Sequence, residues 1–117
     1  MKFLMTYAQS PNARPPTPEQ LARLGAYTEK NVKSGTVLMT GGLVRPSRGI
    51  QLRCEGGKVS VTDGPFAETK EVIDGFALVE VRSKEEAIAV ATEFMQIAGD
   101  GTGEVLQVFD PGPPPSR

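Results

Sequence analysis

Apolar and polar positions along the chain change period several times, and each change marks an element. Residues 2–8, KFLMTYA, place Phe3, Met5 and Tyr7 on one side and Leu4 and Ala8 on the other. That is a strand with apolar side chains on both faces. After a Pro-rich loop, Thr17-Pro18-Glu19-Gln20 carries the signals of a helix start. Thr17 is the N-cap, Pro18 takes the first helical position and Gln20 completes a capping box. Leu21, Leu24, Thr28 and Val32 then fall on one helical stripe, and Gly35 ends it. TVLMTGGLV, residues 36–44, reads as a second strand with a bulge or close backbone approach at Gly41-Gly42.

Residues 49–54 and 58–62 flank Glu55-Gly56-Gly57 as a short hairpin. FALVEV, residues 76–81, is the next strand. Ser83-Lys84-Glu85-Glu86 is a second capping box. It opens a helix whose apolar face is Ala87, Ile88, Ala91, Phe94, Met95 and Ala98, stopped by Gly99. Residues 104–109 form the last strand, and the tail from 111 to 117, PGPPPSR, is predicted to be disordered.

The order is strand, helix, strand, hairpin, strand, helix, strand. Without the hairpin this is the split β-α-β pattern of a ferredoxin-like α+β fold. Residues 1–110 are expected to form one domain. Two helices cover only one face of such a sheet, yet the strands are apolar on both. A second copy packed sheet against sheet, as a homodimer, resolves the mismatch.

Composition narrows the function classes. The 117 residues carry a net charge of −1, with 13 basic and 14 acidic side chains. Nothing in that balance attracts nucleic acid or an anionic membrane. Tryptophan is absent and aromatics are 6%, which argues against a base-stacking platform. The start reads as a strand rather than a signal peptide, and no run approaches a membrane span. The lone cysteine, Cys54, suits a reducing compartment, so a cytoplasmic location is expected. With no histidine to activate it, its thiol is expected to be buried or inert. The chain has no histidine at all, which excludes a histidine-based triad or a histidine zinc site within it.

The candidate chemistry lies in Thr62–Phe76, TDGPFAETKEVIDGF. Asp63-Gly64-Pro65 is turn chemistry, in which the aspartate caps backbone N–H groups, and the same carboxylate is a candidate general base. Phe66 either anchors the loop or walls an apolar pocket. In an extended segment Glu68 and Lys70 share a face and Glu71 points the other way. Lys70 would stabilise an enolate-like or carboxylate oxygen while Asp63 or Glu68 takes the proton. Asp63 and Glu68 are too few oxygen ligands for a hard cation, so no metal is expected. Arg45, Arg48 and Arg53 are either solvated or form an anion clamp beside the cleft. The glycine pairs lack the spacing of a nucleotide loop, and no organic cofactor is expected.

Residues 63–71 read DGPFAETKE, the signature of the DGPF-domain branch of the YCII-related family, which this chain resembles over nearly its whole length. The resemblance implies a ferredoxin-like subunit and a dimeric α+β barrel. In better-known relatives a His-Asp pair in a cleft at the dimer has been proposed as the active site. That pair has no counterpart in a chain without histidine. Branch members are often encoded beside extracytoplasmic-function sigma factors, which implies a regulatory setting. Two functions follow from residues and resemblance together. One is a dimer that binds a small molecule, whose enzymatic form is acid/base chemistry on a small polar or aromatic acid. The alternative is a non-catalytic regulatory or interaction protein working with a sigma factor.

Overall fold

The computed structural model describes residues 1–43, 49–63 and 73–109. In chain order the elements are β1 (Lys2–Gln9), α1 (Pro18–Lys33), β2 (Val37–Gly42), β3 (Ile50–Glu55), β4 (Lys58–Asp63), β5 (Gly75–Glu80), α2 (Lys84–Ala98) and β6 (Gly101–Gln107). Four strands form an antiparallel sheet in the order β2-β5-β1-β6. This is the ferredoxin-like arrangement the element order predicts. The sheet of the single chain is open and does not close into a barrel. β3 and β4 form a separate two-stranded hairpin.

Cross-strand register decides which side chains meet the helices. Phe3 lies opposite Val79, and Met5 lies between Ala77 and Val105. These residues face the helix layer, where Phe3, Met5, Val79, Val81 and Ala87 make the buried core. The intervening positions face the other way: Leu4 lies between Leu78 and Leu106, and Thr6 lies opposite Phe76. The molecule measures 48 × 45 × 20 Å. Its smallest extent is about what one helix layer on one sheet occupies, so no described element covers this second sheet face.

Both helices start as their capping residues predict. Thr17 Oγ1 accepts from Gln20 N at 3.0 Å, and Ser83 Oγ accepts from Glu86 N at 3.1 Å. Gly99, at φ 96°, ends α2 in a conformation that side-chain-bearing residues avoid. The inward face of α1 differs from the predicted stripe. Of that stripe Leu21 and Val32 are 54% and 50% exposed, while Leu24 and Thr28 turn toward the subunit interior together with Gln20, Tyr27 and Asn31. Polar tips decide this orientation. Gln20 Nε2 donates to the Ile97 and Ala98 carbonyl oxygens at 2.9 and 2.8 Å, and Tyr27 Oη donates to Val90 O at 3.1 Å. Each bond ties α1 to α2. The Gln20 side chain therefore does not return to its own N-cap as a capping box would have it.

The hairpin turns on Gly56 and Gly57, at φ 56° and 81°. Two consecutive positive φ values are what a two-residue type I′ turn requires, and glycine supplies them without strain.

Candidate functional site

A cavity of about 540 Å³ lies between the two helices and the sheet. Its walls are mostly apolar, with Met5 and Val79 from the sheet and Ile88, Ala91, Phe94 and Met95 from α2. It exists because α1 meets α2 through polar side chains and buries no residue fully. The space a longer aliphatic would fill remains open.

The polar residues lining this space include Tyr7, Tyr27, Asn31 and Thr40. Each of these four already holds a backbone carbonyl. Thr40 Oγ1 donates to Phe76 O at 2.9 Å, and Asn31 Nδ2 donates to Tyr27 O at 2.8 Å. Tyr7 Oη lies 3.2 Å from Asp100 O and 3.3 Å from Gly99 O, and its ring meets Phe94 edge-on at 5.4 Å. These bonds fix the side chains while leaving oxygen lone pairs to accept from a ligand hydroxyl or amine.

Burial raises the pKa of both phenols. For Tyr7 the Asp74 and Asp100 carboxylates add to the effect. For Tyr27 the Glu93 carboxylate adds to it, against a hydrogen bond with Asn31 that lowers it. Both phenols are therefore neutral at physiological pH, as hydrogen-bonding groups and not bases. No lysine or arginine is among the described residues lining the cavity. The described lining can hold and orient a compact, largely apolar molecule, and Glu104 is the one carboxylate among the described lining residues.

Most of the residues predicted for chemistry are not among those the structure describes. Phe66, Glu68, Lys70 and Glu71, with Arg45 and Arg48, lie outside the described residues. Asp63 closes β4 opposite Ile50, so the motif leaves the sheet system from the hairpin. It re-enters at Asp74, which ties three strands together. Asp74 N donates to Tyr7 O at 2.7 Å, Leu43 N donates to Asp74 O at 2.9 Å, and Gln9 N donates to Asp74 Oδ2 at 2.7 Å. Arg53 sits on the hairpin, 3.9 Å from Glu55, and does not line the cavity. Cys54, expected to be buried or inert, is exposed there.

Sequence reasoning passed over Tyr27, Asn31 and Thr40. A signal was present: positions 20, 24, 27 and 31 have helical spacing, but three of the four are not aliphatic. Among the described residues no cluster of acidic, cysteine or histidine side chains could hold a metal ion, and no helix is long and apolar enough to cross a membrane.

Comparison with known proteins places this geometry in a family. An uncharacterized protein of Rhizobium meliloti (strain 1021), R00369, is 36% identical over 97 residues, covering 80% of this chain and 77% of the relative. The YCII-related domain matches residues 1–110, which takes in both helices, all six strands and the DGPFAETKE segment. The chain belongs to the YCII-related family.

Proposed function

We infer that the protein is a small-molecule-binding subunit that works as a homodimer, with the cavity between the helices and the sheet as its ligand site. The observation that carries this reading is the cavity itself. At about 540 Å³ it falls within the range of small-molecule pockets, apolar with a few fixed polar groups. A phenol or similar small aromatic suits it, its ring against Phe94 and Met95 and its hydroxyl toward Tyr27, Asn31 or Thr40. An aromatic acid would need a cation, and Lys70 of the DGPF-branch motif or Arg45 is our candidate. In the enzymatic form of this reading Asp63 takes a proton while Lys70 stabilises the developing oxyanion. An exposed lone thiol suits a reducing compartment, which supports a cytoplasmic location. The alternative is a non-catalytic interaction protein acting with a sigma factor.

The test is a thermal-shift screen of phenols and small aromatic acids on wild type, Ala91→Leu and Lys70→Ala. A ligand at 100 times its dissociation constant stabilises by ~2.7 kcal/mol, a shift of several degrees. A shift lost in Ala91→Leu, which fills the cavity, supports the site; its loss in Lys70→Ala as well brings in the motif. No shift with any compound, or one undiminished in Ala91→Leu, overturns the cavity reading.

A further inference from the structure

The β3–β4 hairpin has two unlike faces. Its register pairs Leu52 with Val61 and Cys54 with Val59 on one face, joined by Ile50. Gln51, Arg53, Glu55, Lys58, Ser60 and Thr62 alternate onto the other. Ile50, Leu52, Val59 and Val61 are 61%, 64%, 59% and 63% exposed. No other described element packs extensively against the hairpin. A lone two-stranded hairpin is marginal in water and needs a packed face to persist. The face that suits packing is the one left open.

We propose that this hairpin is an arm whose apolar face is covered by a second copy of the chain. This rests on the paired-subunit reading above and assigns it a second contact besides the sheet. Three observations select a second copy. Among the described elements β3 and β4 pack extensively only on each other, so the hairpin lies against neither face of the helix-and-sheet layer. The radius of gyration of the chain is 17.0 Å, against about 13 Å for a compact chain of this length, so the subunit by itself is not closely packed throughout. A second apolar surface, the sheet face of Leu4, Phe76, Leu78 and Leu106, is likewise covered by no described element. A two-fold axis that brings two sheet faces together carries each arm toward the other subunit.

Area makes the arm necessary. With strands ~4.8 Å apart rising ~3.3 Å per residue, the four-stranded face offers roughly 400 Å² and the hairpin face roughly 200 Å². Sheet against sheet alone buries ~800 Å² in total, the size of a packing contact. Two arms, each covering an equal patch of the partner, raise the total to ~1,600 Å², the size of a stable specific interface.

Two measurements test the arm: light scattering across a dilution series and the maleimide reactivity of Cys54. Leu52 and Val61 are exposed in the subunit, so Leu52→Lys or Val61→Lys should leave the circular dichroism unchanged. Either should raise the dimer dissociation constant at least tenfold, while Gln51→Lys on the polar face changes it less than twofold. Cys54 should react at least tenfold more slowly in the dimer than after dilution to monomer. Gln51→Cys in a Cys54→Ser background should react at the same rate in both. Monomer mass at every concentration overturns pairing and the arm with it. A dimer that tolerates Leu52→Lys, with Cys54 as reactive as Gln51→Cys, overturns the arm alone and leaves sheet pairing standing.

Discussion

The side-chain nitrogen of Gln20 lies 2.8 Å from the carbonyl oxygen of Ala98, joining the first turn of α1 to the last residue of α2. The final carbonyls of a helix lack partners within it, and Gln20 supplies one from across the layer. It also bonds Ile97 O at 2.9 Å. α1 buries no residue fully, so its attachment depends on such bonds to an unusual degree.

Replacing Gln20 by alanine should therefore cost about 1–2 kcal/mol, the worth of one or two such bonds with their acceptors left unpaired. Urea unfolding should show a lower midpoint with an unchanged m-value. An unaltered midpoint would mean that α1 is held by its apolar contacts alone.

Gly25 lies within α1, and a β-carbon there would meet nothing within 4 Å. Gly25→Ala removes the entropic cost of glycine in a helix and adds no clash, so stability should rise by about 0.5–1 kcal/mol. Thermal unfolding should shift upward by a few degrees.

The glycine at 101 behaves in the opposite sense. A β-carbon at this position would run into the Ala8 carbonyl oxygen and come within 2.8 Å of the Tyr7 ring. Gly101→Ala forces β6 away from β1 and should destabilise by ~1–3 kcal/mol. A variant as stable as wild type would show that the β1–β6 edge shifts freely.

Both tyrosines have raised pKa values, burial being the main cause. The folded state then holds the phenol protons more tightly than the unfolded chain, whose tyrosines ionise near 10.0. This contribution to stability is complete below that pH and is lost as pH rises through the folded pKa. Absorbance at 295 nm should show tyrosinate forming at higher pH in the native protein than in strong denaturant. In Tyr7→Phe, stability should fall less steeply than in wild type above pH ~10. Coincident native and denatured titrations would contradict the partial burial of both rings.

Six strands, two helices and their order were legible in the chain, because they depend on local periodicity and on capping and turn residues. Thr17, Ser83, Gly35, Gly56, Gly57 and Gly99 each act within a few residues of their own position. The ferredoxin-like arrangement followed from that order, since two helices between four strands have few ways to cover one sheet. The apolar character of both sheet faces was also visible, because side chains alternate along a strand. Which face of α1 turns inward was not. Hydropathy favoured Leu21 and Val32, but the orientation is fixed by Gln20 and Tyr27 reaching carbonyls of α2 more than 60 residues away. The cavity is hidden in the sequence for the same reason: it is the space left when polar tips, not aliphatic bulk, set the spacing between helices and sheet. Separation of the hairpin from the main sheet likewise belongs to tertiary structure. The alternation in β3 and β4 specifies an apolar face, but only the three-dimensional arrangement of the sheet leaves that face without cover from the other described elements.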